Sequence, residues 1–239
     1  DIEIVEDFRL EQRLASWLSG AAAFLRIGAG AAADDTDPSL TIAGSSDPLA
    51  PMELFASGEL VLQGGQRGEG DLAFEGTTEL GAPRITLQAG NGDATGTARV
   101  RSAGLAGVTF ADGQGGQTQA FTLRQDAAIE PDVVPDASQF TGGVDGVAYT
   151  LRADATGSGI TLDGTSPARL ANTDLRLFAD GPIDLSALAD DALTVSRLEI
   201  GGLGSFQYTR ALDDKYQIVN PGGRELVIRA GLARAGVLS

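Results

Sequence analysis

A short phrase recurs along this chain and limits what it can fold into. Leu25-Arg-Ile27 runs into Gly-Ala-Gly30, and Leu60-Val-Leu62, Ile85-Thr-Leu87, Tyr149-Thr-Leu151, Leu175-Arg-Leu177 and Leu226-Val-Ile228 each lead in the same way toward small residues and a Gly or Asp. Apolar, polar, apolar is the alternation of a half-buried strand, and the Gly or Asp that follows supplies a corner. Several copies start about 25 residues apart or at twice that step, within the period of solenoid repeats. Such a chain stacks coils, each touching only its neighbours.

Composition favours narrow coils. Aromatic residues are 5% of the 239 and glycines number 33, so bulk is low and tight bends are available. Turn-rich stretches separate short strand-like runs: Leu40–Ile42, Met52–Ala56, Glu59–Gln63, Asp71–Glu75, Arg84–Ala89, Ala98–Ser102, Val108–Ala111 and Ala120–Gln125 in the first half. Tyr149–Ala153, Gly159–Asp163, Thr173–Ala179, Ile183–Ala187, Leu193–Ile200, Ser205–Arg210, Tyr216–Val219 and Glu225–Ala230 follow in the second. Crossover helices have little room between strands so close, which argues against a doubly wound α/β fold. The expectation is an all-β chain, a β-solenoid forming one domain over 1–239. An irregular loop or insertion near 127–146 hangs off a continuous stack.

Residues 8–27 carry two readings. Phe8 and Leu10 alternate as a strand, and strands throughout are the preferred reading. Leu14, Trp17, Leu18, Ala21, Ala22 and Leu25 also fit one face of a short capping helix; the end coils of solenoids need caps.

Charge and missing residue types narrow the chemistry. The net charge is −16, which disfavours nucleic acid and anionic membranes as partners. There is no Cys and no His, so disulfides, thiolate catalysis, Ser-His-Asp triads and His-metal sites are excluded. No apolar run approaches the ~20 residues of a membrane span. Asp1 in place of Met reads as a processed or excised end.

Few clusters invite chemistry. Asp34, Asp35 and Asp37, with Glu53 or Glu59, are weak candidates for Ca²⁺, a hard cation that takes several oxygens; no metal or other cofactor is otherwise expected. Asp163, Asp174, Asp180, Asp184 and Glu199 are spaced so that they could line one face as a glycosidase-like carboxylate set. Chance alignment on an acidic stack explains them as well, and the chain is not expected to be an enzyme. Trp17, Tyr149 and Tyr208 are candidate glycan contacts, while Phe206, Tyr208 and Tyr216 suggest a closing cluster or a ligand contact near the C-terminus.

Two stretches carry a family likeness. Gly81-Ala-Pro-Arg-Ile-Thr-Leu-Gln-Ala-Gly-Asn-Gly-Asp93, and Val108-Thr-Phe110 followed by Ala120-Phe-Thr-Leu-Arg-Gln-Asp-Ala-Ala-Ile129, resemble the β-strand-repeat surface exoproteins of Gram-negative bacteria typified by filamentous haemagglutinin. Asp7-Phe-Arg-Leu-Glu-Gln12 and Asp174-Leu-Arg-Leu-Phe-Ala-Asp-Gly-Pro-Ile-Asp184 share the style. The resemblance implies a right-handed parallel β-helix, secretion to the cell surface, and a role in adhesion, biofilm or fibre formation.

These readings converge on an extracellular structural subunit. Unpaired strand edges invite another copy. Ile2 and Ile4 at the start, and Leu226 and Ile228 in a strand with no obvious cap after it, are the expected subunit contacts in a head-to-tail filament. The alternatives are a glycan- or receptor-binding adhesin module and, more remotely, a polysaccharide-active β-helix enzyme.

Overall fold

The structure is a computed structural model. It describes residues 2–4, 6–18, 23–29, 38–65, 70–90, 95–101, 105–111, 117–162, 170, 173–184, 197–202, 206–207, 216–219, 226–229 and 236–238. The chain is mostly β, built almost wholly from parallel ladders.

It proceeds in passes that visit the sheets in a fixed order. The first pass is β1 (Ile2–Ile4), β2 (Phe8–Leu10) and helix α1 (Gln12–Leu18); the second is β3 (Phe24–Ala29), β4 (Leu40–Ile42) and β5 (Met52–Phe55). β6 (Glu59–Gly64), β7 (Leu72–Phe74) and β8 (Thr78–Gly81) follow, then β9 (Arg84–Ala89) and β10 (Val108–Phe110). β11 (Ala120–Gln125) leads through 3-10 turns at Pro131–Val133 and Ala137–Gln139 to β12 (Ala148–Ala153) and β13 (Ile160–Thr161). The last passes are β14 (Asp174–Ala179) with β15 (Ile183–Asp184), β16 (Arg197–Gly202) with β17 (Phe206–Gln207), and β18 (Tyr216–Val219) with β19 (Leu226–Arg229) and β20 (Gly236–Leu238).

One nine-stranded sheet runs the length of this arrangement, in the order β1-β3-β6-β9-β11-β12-β14-β16-β18. Beside it lie β2-β4-β7, β5-β8-β10 and β13-β15-β17-β19-β20. Isolated bridges carry the shorter ladders further: Val100 pairs with Leu72, Phe140 with Phe110, and Ile129 with Ile160.

Register explains the recurring phrase. Leu25, Leu60, Ile85, Phe121, Tyr149, Leu175, Leu198 and Tyr216 pair in succession, as do Ile27, Leu62, Leu87, Leu123, Leu151, Leu177, Ile200 and Ile218 two residues on. Parallel in-register stacking therefore sets like side chains over like. Those from Leu25 to Leu198 in the first column, and from Ile27 to Ile200 in the second, are buried. They belong to one apolar cluster extending from Leu10 to Ile200. A one-residue slip would turn every one of them outward, so the apolar columns hold the register.

Five sequence expectations need correction. Strands do not run throughout 8–27, because Gln12–Leu18 is helical. Its Gln, Arg, Leu and Ala are good helix formers, and Ala15 is fully buried while Leu18 packs against the core. Leu25 belongs to β3 rather than to that helix. The sixth phrase, Leu226-Val-Ile228, is not a rung of the nine-stranded sheet: Ile228 pairs with Phe206, in the ladder of Ile160 and Ile183. In place of the expected strand at Ala98–Ser102, the described residues hold one bridge, at Val100. Finally, Leu226–Ile228 is not left uncapped, because β20 pairs with it antiparallel, Leu226 with Leu238 and Ile228 with Gly236.

The irregular segment lies between two paired strands. β11 and β12 pair over their full six residues on either side of it, from Ala120 with Ala148 to Gln125 with Ala153. Within it, Asp136 Oδ1 accepts from Ser138 N and Gln139 Oε1 accepts from Asp136 N, a reciprocal cap. Gln139 Nε2 donates to the carbonyls of Leu105 and Val108, at 2.6 and 2.7 Å, binding the loop to the preceding pass.

Candidate functional site: the open strand edges

A strand that ends a sheet presents unpaired N–H and C=O groups. β1 pairs with β3 and β2 with β4, and no described residue pairs with the opposite edge of either strand. Among the described residues, Ile2 and Ile4 therefore lie in an end strand, Ile2 in register with Ile27 and Ile4 with Ala29. The corner between the two strands is tied inward. Asp7 Oδ1 accepts from Ser39 N at 2.8 Å, and Phe8 N donates to Ser39 O at 2.9 Å. Arg9 spans Glu11 at 2.8 Å and Glu75 at 2.5 Å. Its hydrogen bond to Glu75, then that to Glu11, raises its pKa further.

The far end is asymmetric. β18 pairs with β16 alone, so among the described residues it is the other end strand of the nine-stranded sheet. In the neighbouring sheet, β19 has β17 on one side and β20 on the other. Leu226 and Ile228 thus lie in an interior strand, and the end strands of this pass are β18 and β20.

The other candidates from the sequence scatter. Asp34, Asp35 and Asp37 lie outside the described residues, as do Asp163 and Tyr208. Glu53 stands in register with Glu79, on a different sheet from Glu59. Glu79 is raised above the ordinary glutamate value, first by burial and then by Glu53. Among the described residues, no group of three or more His, Cys, Asp or Glu is placed to hold a metal ion.

The proposed carboxylate set is not a set. Asp174 and Glu199 flank Arg176, at 2.8 and 4.0 Å, and Arg176 is raised chiefly by its hydrogen bond to Asp174. Asp180 accepts from Gly157 N at a corner, and Asp184 lies on another sheet. Of the aromatic residues, Tyr149 is fully buried, its hydroxyl donating to Pro135 O at 3.4 Å, so it cannot meet a glycan at the surface. Phe206 and Tyr216 stand on different sheets.

One polar row went unread in the sequence. The fourth residue of the phrase, outward on the long sheet, stacks as Gln63, Gln88, Arg124 and Arg152. Arg124 and Arg152 both reach Asp154, each at 2.5 Å, and Arg152 lies 6.0 Å from the Phe178 ring centroid. The recurrence of Gln or Arg after Leu-x-Leu was the available signal. An open cleft of about 320 Å³ also lies between Leu105 and the irregular segment, with Val134 and Pro135 in its wall and Asp132 and Asp136 among its polar groups.

The fold and its edges define a mostly β protein of stacked parallel ladders. No family model, no curated protein and no solved structure matches the chain. Among the described residues, no helix is long and apolar enough to cross a membrane.

Proposed function

We propose that this chain is a structural subunit of an extracellular surface fibre or adhesive layer, folded over residues 1–239 as one right-handed parallel β-helix. Copies join head to tail through their sheet edges. The observation that carries the reading is the nine-stranded in-register sheet, with β1 at one end and β18 at the other, both without a partner on the outer side among the described residues. In a parallel stack the two ends are complementary: a strand added at β18 takes the same direction and spacing as every rung before it. The register continues as well, since Ile2 of an incoming copy follows Ile218 in the order already kept by Ile200 and Ile27. The acidic surface, net −16, keeps the sides of such a fibre apart while its ends join.

Fibre diffraction and electron microscopy of the concentrated purified chain test this. The expected result is filaments with a meridional spacing of about 4.7–4.8 Å, the distance between paired strands. Cysteines placed at Ile2→Cys and Ile218→Cys should cross-link between molecules in the filament. A chain that stays a monomer in sedimentation at every concentration reached overturns the reading.

A further inference from the structure

The last strand runs against the grain of the molecule. Every other named strand pairing is parallel, whereas β20 lies antiparallel on β19, with Val237 opposite Val227. A head-to-tail neighbour has to place two strands at once. Its β1 and β2 are separated only by residues 5–7 and belong to adjacent ladders. The strand that follows each rung of the nine-stranded sheet lies in the β2-β4-β7 ladder in the early passes and in the β13-β15-β17-β19 ladder in the late ones, so setting β1 on β18 brings β2 toward the edge of β19, which β20 already occupies.

We propose that β20 is a displaceable stopper: it fills, in the opposite sense, the seat that β2 of a second copy takes during assembly, and so holds back growth at the β18–β19 end. This rests on the head-to-tail reading above. The exchange is balanced in the ladder it disturbs. β20 and β2 each contribute three residues, so the backbone hydrogen bonds lost when β20 leaves are matched by those β2 makes. The gain lies in the other sheet, where β1 adds a new ladder to β18. β20 is also easily dislodged, since it is short, pairs on one side only among the described residues, and begins with Gly236. The second copy is the occupant because it alone offers β1 and β2 in matching order and direction.

The test compares assembly of the full chain with two variants, one ending at residue 235 and one carrying Val237→Pro, which fixes φ and removes an N–H in the middle of the strand. Light scattering follows growth, and sedimentation gives the concentration below which no polymer persists. The expected result is a lag for the full chain, no lag for either variant, and a persistence threshold about tenfold lower in both, equivalent to about 1.4 kcal/mol. If all three assemble with the same lag and threshold, the stopper is overturned while the fibre reading stands. Slower assembly of both variants also overturns it, because β20 would then be part of the joint. If none assembles, the fibre reading falls and the stopper with it. Added seeds of the 1–235 filament should extend the variants faster than the full chain; equal extension overturns the proposal.

Discussion

Phe121 and Tyr149 occupy the same place in consecutive passes, paired in register with ring centroids 4.9 Å apart. Phe110 and Phe140 join them, stacked at 4.4 Å on each other and edge-on to Phe121 at 5.2 and 5.7 Å. This cluster sits where the ladder of β5, β8 and β10 ends, at the Phe110–Phe140 bridge. Large rings fill the core there, beneath two 3-10 turns.

Phe140→Ala should therefore cost about 3–5 kcal/mol, the usual loss for a buried ring left as a cavity. Urea denaturation measures it. A loss below about 1 kcal/mol would mean that the irregular segment does not close the core.

Thr78 is fully buried between Met52 and Val108 on neighbouring strands, and its hydroxyl has no hydrogen-bond partner among the described residues. Thr78→Val keeps the shape and removes the stranded polar group. Stability should rise by about 1 kcal/mol, and a lower melting temperature would contradict the placement.

Glu79 stands beside Glu53, its carboxyl raised above the ordinary 4.5 by burial and then by that neighbour. The fold thus favours the protonated form. That contribution is complete below 4.5 and is lost as pH rises through the folded-state value. Glu79→Gln should remove this fall and raise stability at neutral pH by roughly 0.2–1 kcal/mol, the scale of a cross-strand pair. Melting temperatures of both proteins, taken from pH 4 to 7, should diverge upward in pH; parallel curves would exclude the effect.

Gly90 has φ +77°, and a Cβ there would run into the carboxylate of Asp126, which is itself buried. Gly143, at φ +81°, has open space around it. Alanine at Gly143 should cost about 1 kcal/mol for the backbone alone. Alanine at Gly90 should cost at least about 2 kcal/mol more, because a packed carboxylate must also move. Equal losses in denaturant titrations would show that Asp126 does not pack against this corner.

Much of the strand content was legible because it depends on neighbours in sequence. Leu60-Val-Leu62 and Ile85-Thr-Leu87 alternate, end at corners, and form β6 and β9. Phe121-Thr-Leu123 and Leu198-Glu-Ile200 were read as strands but not as further copies of the phrase. The passes differ in length: Leu60 is followed by Ile85, but Ile85 only by Phe121. Loops can lengthen at little entropic cost, so a fixed period hides rungs that pairing reveals. The site was less legible. Leu226–Ile228 reads as an uncapped strand in the sequence, because the strand that pairs with it, Gly236–Leu238, is three residues long and too short to carry a pattern.

Local sequence determined the alternation, the corners and the bulk of the core, since these follow from side-chain polarity and from the few residues that accept a positive φ. Tertiary structure alone decided which ladder each strand joins. The phrase at Leu226 resembles that at Leu175 in sequence but sits in a different sheet. Strand pairing is made through backbone groups that every residue carries alike, so partner and direction depend on what the preceding pass has already placed alongside. The antiparallel seat of β20 is the clearest case.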